Sequence, residues 1–307
     1  MSEVTFSPSQ TEVALVGAGA VGRALAGRLA QQGYPVRAVL SRRREAAAAL
    51  AEEVGASVGS DDVADLPFGL RLVVLCVPDD AIAPVARMLA GLPRDWTSVV
   101  VAHTSGARTT DALAPLAAVG ATPLSFHPMQ TFTAASAPSV FEGIYVGLEG
   151  PPEAVAFGRR LAERLGAHPV AVPAAAKTRY HLAAALASNG LVALMGLVAE
   201  VLASAGVDPE EAGVLVGPLV ESTWANIKRT SPDAALTGPA ARGDAGTIAA
   251  HAKALAAHLP HLLPAYAALT NEAVRLAVRS GRLGVDQAEA VLDVLYEALH
   301  EADERLG

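Results

Sequence analysis

Val13-Ala14-Leu15-Val16 runs straight into Gly17-Ala18-Gly19-Ala20-Val21-Gly22, and residues 23–30 keep helical spacing directly afterwards. An apolar strand, a G-x-G-x-x-G turn and a helix in immediate succession leave few folds open. Gly17 permits the tight turn out of the strand, Gly19 lets backbone N–H groups approach a pyrophosphate, and Gly22 lets helix pack on strand. Phosphate then rests on the helix N-terminus, where unpaired N–H groups and the helix dipole favour negative charge. Gly17, Ala18, Gly19, Ala20, Val21 and Gly22 are therefore candidate cofactor-binding residues.

The second strand is expected at 36–40, and its end is where an adenosine ribose is read, about 20 residues past the glycines. No carboxylate stands there; the residues are Ser41-Arg42-Arg43-Arg44. A hydroxyl and planar guanidinium forks suit a ribose phosphate better than a free 2′-hydroxyl, so Ser41, Arg42 and Arg43 point to NADP(H) as cofactor. The alternative is a solvated first helical turn, since Glu45 and a run of alanines follow.

Strand-like segments at 72–77, 98–102, 122–126, 143–148 and 168–172 alternate with helical ones at 79–90, 109–119 and 152–165. This alternation predicts an α/β Rossmann domain, a doubly wound parallel sheet with helices on both faces. From 173 onward the pattern changes to long alanine-rich helical stretches at 173–205, 208–229, 244–257, 260–281 and 285–305, with Gly and Pro as punctuation. The 307 residues thus divide into a short disordered arm at 1–10, a dinucleotide-binding domain at 11–172 and an all-α domain at 173–307.

A net charge of −8 argues against a phosphate-tracking basic face and hence against nucleic acid as partner. Cys76 is the single cysteine, which excludes a disulfide framework and a thiolate metal cage. It reads as a small core residue and fits a reducing, cytoplasmic setting. Residues 1–10 carry no secretory signal pattern. The apolar stretch 182–199 is interrupted by Ser188, Asn189 and Gly190 and is dominated by alanine, so a helix buried in protein is expected there rather than a membrane span. His251, His258 and His261 lack an accompanying carboxylate or cysteine pattern, and no metal site is expected.

Ligands of open parallel sheets bind beyond the carboxyl ends of the strands. Val77 and Pro78 end one strand, in a turn that usually lies along the cofactor, and Asp79 is expected to cap the next helix. His103 and Ser105 follow the next strand. His127, between a strand end and Pro128, has a fixed direction and an ordinary pKa near neutrality, so it can exchange a proton with a substrate oxygen or else cap a loop carbonyl. On an unbroken helix Lys177, His181 and Ser188 fall within about 40° of one another, with Asn189 about 120° from Lys177. Polar groups on an apolar helix call for a ligand or a hydrogen-bond network. Arg242, in a Gly/Pro-rich loop that ends at the helix-capping Asp244, can clamp a carboxylate or pair locally.

The glycine turn, Val77-Pro78-Asp79, His103-Thr104-Ser105-Gly106, Phe126-His127-Pro128-Met129-Gln130-Thr131-Phe132, the 181–189 helix and Leu236-Thr237-Gly238-Pro239 with Arg242-Gly243-Asp244 together resemble one family. Its members are predicted oxidoreductases that join a Rossmann-like NADP-binding domain to a C-terminal helical domain of unknown function. It is similar to the wider 6-phosphogluconate dehydrogenase-like group, which includes ketopantoate reductases, pyrroline-5-carboxylate reductases, β-hydroxyacid dehydrogenases and prephenate dehydrogenases. The resemblance implies a 6-phosphogluconate dehydrogenase-like C-terminal domain, an active site in the interdomain cleft and a homodimer built through the helical domains. Lys177 stands where ketopantoate reductases and β-hydroxyacid dehydrogenases place a catalytic lysine, although Asn189 follows it at a longer distance than their asparagine. His127 resembles the histidine of the prephenate dehydrogenase His-Pro motif, and Ser105 the serine one strand earlier; Gln130-Thr131 replaces the glycine that follows that motif.

The expected function is NADPH-dependent reduction of a small carbonyl compound, such as a ketopantoate-like 2-oxo or 3-oxo acid, or of an imine. His127 or Lys177 would donate the proton, Ser105 and Asn189 would complete the catalytic set, and His103, His181, Ser188 and Arg242 would hold a carboxylate-bearing substrate. Two alternatives stand beside it: an NADP(H)-binding sensor or assembly protein without turnover, and a deazaflavin-dependent oxidoreductase.

Overall fold

The computed structural model describes residues 7–306, with side chains through 302. The chain divides into two compact units, residues 1–188 and 189–307. In the first unit the order is β1 (Val13–Val16), α1 (Ala20–Gln31), β2 (Val36–Leu40), α2 (Arg44–Val54), β3 (Val58–Ser60), β4 (Leu72–Leu75), α3 (Ile82–Ala90) and β5 (Val100–His103). There follow α4 (Ala114–Ala118), β6 (Thr122–Met129), β7 (Tyr145–Glu149), α5 (Pro152–Arg164), β8 (His168–Ala171) and α6 (Lys177–Ala185).

The strands form one sheet in the order β3-β2-β1-β4-β5-β6-β7-β8. The run 3-2-1-4-5-6 places a topological switch between β1 and β4, where ligands of such sheets bind. β1 and β4 are buried at every position, as central strands covered on both faces must be. One apolar cluster, including Leu15, Leu25, Leu29 and Phe126, packs on one face. A second, including Leu40, Leu75, Ile82 and Trp96, packs on the other.

Four features of this unit depart from the sequence expectation. The sheet is not wholly parallel, because β6 and β7 pair antiparallel. That pairing lengthens β6 through Met129, so His127 lies within a strand and not in a loop after it. Pro128 is tolerated because the β5 ladder ends at Ser125 and asks no N–H of it. Asp79 does not cap a helix, since α3 starts later, with Ala81 at its N-cap. Residues 1–6 of the supposed arm lie outside the described residues, whereas Pro8–Gln10 form a 3₁₀ turn that Thr11 ties down by donating to the Ser7 carbonyl at 3.0 Å.

α6 runs into a π-helical turn, Leu186–Gly190, and then α7 (Leu191–Ser204). The unit division at 188/189, not the expected 172/173, keeps α6 with the sheet, to which Lys177 and Tyr180 bind it. The second unit continues with α8 (Pro209–Arg229), α9 (Pro232–Ala235), α10 (Pro239–Arg242), α11 (Ala245–His258), α12 (Leu263–Arg279) and α13 (Val285–Leu306). Its core gathers Ile248, Val274, Leu283, Val291 and Leu295. Asp208 and Asp244 cap α8 and α11, Asp244 accepting from the Thr247 N–H at 3.0 Å.

The expectation of a buried helix around 182–199 is not met. The helical stretch Ala174–Ser204 is long and apolar enough by length and composition to cross a membrane, and none of its most apolar window is buried within the chain. Nothing in the alanine-rich pattern distinguishes a helix covered by its own chain from one that leaves an apolar face open.

Candidate functional site

The glycine turn has the geometry that a pyrophosphate needs. Gly17 has φ +115°, and a Cβ there would lie 2.2 Å from the Cys76 carbonyl oxygen. A Cβ on Gly22 would lie 2.0 Å from the Gly17 carbonyl oxygen. Both positions therefore admit no side chain. Gly19 is different: a Cβ there meets nothing within 4 Å, so its absence opens the approach instead of relieving a clash. Gly19 is also the N-cap of α1 with no side-chain cap, which leaves the first N–H groups of a twelve-residue helix free for an anion. Ala18 is buried, and Ala20 and Val21 open α1. Val77 borders the turn, its Cγ1 lying 3.3 Å from where a Gly17 Cβ would be; Pro78 follows it, exposed. Cys76 sits just past β4, not inside it, and burial pushes its thiol up to about 12.

At the end of β2 the Ser41 N–H donates to the Ser60 carbonyl at 2.9 Å, and Arg43 is the N-cap of α2. Arg42 and Arg43 are exposed and carry no ion pair among the described residues. Arg44, by contrast, lies 3.8 Å from Asp61.

A second group of polar residues gathers around the carboxyl end of β5. Lys177, the first residue of α6, is 1% exposed. Its ammonium donates to Ser125 Oγ at 2.7 Å and to the Ser105 carbonyl at 3.3 Å. Among the described residues no carboxylate pairs with it directly. Burial lowers its pKa, and the charges of Glu149 and Asp79 partly restore it. Burying an ammonium costs several kcal/mol unless geometry and hydrogen bonds offset it, so this lysine is an expensive feature held in place by the ends of two strands.

His127 places Nδ1 3.2 Å from the Tyr180 hydroxyl. Its ring packs edge-on against Tyr180 at 5.5 Å and against His181 at 6.0 Å between centroids. Burial, then the charges of Lys177 and His181, push its pKa down to about 4, so His127 is neutral at physiological pH. Gly106 makes room for the pair: a Cβ there would lie 2.6 Å from His181 Nδ1 and 2.7 Å from His127 Nε2. The two imidazoles thus turn a nitrogen each toward the space over Gly106.

The structure corrects the substrate role expected of His103. That residue is wholly buried, its Nε2 meets the Thr109 carbonyl at 3.1 Å and its Nδ1 accepts from the Ser105 N–H at 3.2 Å. Both nitrogens are committed, and the side chain orders the 104–109 loop. Ser105 is largely committed as well, because its Oγ accepts from the Ala107 and Arg108 N–H groups at 3.2 and 3.0 Å; what it offers Lys177 is its carbonyl. Ser188 Oγ lies 3.1 Å from Thr131 Oγ1. Asn189 and Arg242 are exposed residues of the second unit. The π turn also invalidates the angle drawn for Asn189, since a wider turn sets later residues back by up to about one residue's rotation.

Ser125, Tyr180 and Glu149 went unrecognised in the sequence. Ser125 is a wholly buried polar residue in an apolar strand, a signal that was available. Tyr180 stands three residues after Lys177, on the same helical face. Glu149, buried at the end of β7, accepts from the Thr110 N–H and hydroxyl, each at 2.8 Å; nothing in the chain around it announces that role.

The sheet order and the glycine turn define a Rossmann-like protein. Comparison with protein families agrees: residues 2–128 match the Rossmann-like domain and residues 144–273 match the domain of unknown function DUF2520. The chain therefore belongs to the proteins that pair these two domains. No curated protein matches it in sequence. Among solved structures, a provisionally named NADP oxidoreductase of Bacteroides fragilis is 26% identical, with a TM-score of 0.73 over 88% of this chain and 100% of that one. A Thermotoga maritima protein is also 26% identical, with a TM-score of 0.70 over 88% of this chain and 100% of that one. A reductive aminase of Aspergillus terreus, in complex with NADPH and ethyl levulinate, shares the fold at 19% identity and TM-score 0.62 over 92% and 98% of the two chains. These likenesses support an oxidoreductase with a nicotinamide dinucleotide cofactor.

Proposed function

We propose that this chain is an NADP(H)-dependent reductase of a small carbonyl or imine compound. The observation that carries the reading is a neutral His127, paired with His181 over Gly106 and backed by the buried Lys177 ammonium, in the same sheet as a glycine turn open to pyrophosphate. The free guanidinium groups of Arg42 and Arg43 favour the phosphorylated cofactor. The cofactor supplies hydride when bound. His127 offers the substrate heteroatom an N–H hydrogen bond, and the field of Lys177 stabilises negative charge developing there. Because two Lys177 protons are directed at Ser125 and Ser105, its charge is better placed to act than its protons, which leaves His127 as the hydrogen-bond donor that polarises the substrate, with the proton that completes the alcohol or amine drawn from bulk water. The preferred substrate is a carboxylate-bearing 2-oxo or 3-oxo acid. Titration calorimetry with NADPH and NADH, then NADPH oxidation across a panel of oxo acids and imines, tests the reading; cofactor binding with no turnover on any member refutes it.

The open apolar face of α7 and α8 supports a homodimer. Leu191, Val192, Val214, Leu215, Leu219 and Trp224 are all exposed, and an isologous pair of such faces buries them symmetrically. A monomeric mass by light scattering at micromolar concentration refutes it.

A further inference from the structure

Tyr180 occupies a position that the assignment of His127 as donor leaves unexplained. His127 and Gly147 face each other across the β6–β7 ladder, and the Tyr180 hydroxyl reaches both. A Cβ on Gly147 would lie 2.5 Å from that hydroxyl oxygen, so only glycine lets the ring settle there. His127 Nδ1 stands 3.2 Å from the hydroxyl, and a phenolic O–H is a good donor to the lone pair of a neutral imidazole nitrogen.

We propose that Tyr180 is a positioning residue: its hydroxyl, seated against Gly147, donates to His127 Nδ1 and so keeps the imidazole proton on Nε2, the nitrogen that faces the space over Gly106. A neutral imidazole carries one N–H, and the hydrogen bond made by one nitrogen decides what the other can do. Held this way, His127 presents a donor to a substrate oxygen or nitrogen; with the proton on Nδ1 it would present a lone pair and repel a carbonyl oxygen. The charged and titratable groups around the ring are Lys177, His181, Asp79 and His103. The Lys177 ammonium lies 5.9 Å from the Tyr180 ring centroid, on the same helix, so one segment supplies both a charge that adds to burial in keeping His127 neutral and the hydroxyl that orients its proton. This rests on the proposed reading of His127 as the substrate contact.

The test is nitrogen-15 NMR of histidine-labelled full-length protein near pH 7, in wild type and in Tyr180→Phe. The wild type is expected to show His127 with a protonated Nε2 and a hydrogen-bonded, unprotonated Nδ1. In Tyr180→Phe the Nδ1 signal is expected to move to that of a free nitrogen, with turnover falling about tenfold, the cost of one lost hydrogen bond of about 1.4 kcal/mol, and NADPH affinity unchanged. A proton on Nδ1 in the wild type overturns the proposal, with or without a folded variant. An unmoved Nδ1 signal, or undiminished turnover, in a folded Tyr180→Phe protein also overturns it. If the wild type shows the expected tautomer but no substrate is ever reduced, the assignment of reductase activity falls while the proton's position stands.

Discussion

Acidification probes the buried histidines directly. His103 has no exposed surface, and burial, reinforced by the Lys177 charge, lowers its pKa from 6.5 to about 4 even though the Thr109 carbonyl works the other way. Unfolding returns it to about 6.5. Between those values the unfolded chain binds a proton that the folded chain refuses, so stability falls as pH falls. The contribution is complete above pH 6.5 and is lost on the way down to pH 4. A tenfold difference in proton affinity between folded and unfolded chain is worth about 1.4 kcal/mol, so His103 accounts for about 3 kcal/mol over the window, and His127, lowered equally, for a similar amount. Urea unfolding between pH 6.5 and 4.5, followed by Trp96 fluorescence in a Trp224→Phe background, reads the first unit alone. The expected mean slope is about 2 kcal/mol per pH unit with both histidines present, and about half that in His103→Asn. Asparagine can keep the Nδ1 acceptor role toward Ser105 but leaves the Thr109 carbonyl without its donor, so absolute stability falls by about 1–3 kcal/mol; the slope does not depend on that loss. Parallel pH profiles for the two proteins would falsify the claim that His103 is held neutral by its surroundings.

Replacing Arg42 and Arg43 together by alanine should weaken NADPH binding by about 10- to 150-fold, from about 1.5–3 kcal/mol of charge-assisted hydrogen bonding, and leave NADH untouched; calorimetry showing equal loss for both cofactors counts against the ribose-phosphate assignment. Lys177→Met removes a like charge near His127, so the His127 titration midpoint should rise in NMR titration while turnover drops; an unmoved midpoint contradicts the coupling. In Gly106→Ala the new methyl group should crowd His181 Nδ1 and His127 Nε2, abolishing turnover with NADPH affinity intact, and a fully active variant removes the space over Gly106 from the site.

The glycine turn was legible because its geometry is local. Glycines at fixed offsets shape the backbone where they stand in the chain, and the turn they make follows from the geometry that any strand–turn–helix of this kind must obey. The polar cluster is different, since Lys177 meets Ser125 and His127 meets Tyr180 across 52 and 53 residues. Periodicity put Lys177 and His181 on one helical face but could not say that this face lies against β5–β7. The same limit explains His103: as a residue type after a strand it reads as a ligand contact, and only the paths of the Thr109 and Ser105 backbones show both its nitrogens spent. The extension of β6 past His127 was hidden for a related reason. An antiparallel partner is supplied by a strand that arrives later, and Pro128 argues locally against continuing the ladder.

The anchoring of α6 to the sheet bears on how such a chain can be recombined. By composition alone, a chimera exchanging the helical part would be spliced near residue 172, where strands give way to helices. That junction would replace Lys177, Tyr180 and His181 with a stranger's residues and leave Ser125, His127 and Gly147 facing groups they were not shaped for. A splice after Ser188 transplants the second unit whole and leaves the polar cluster with its own sheet, so the heritable module of this protein ends a helix later than its secondary structure suggests.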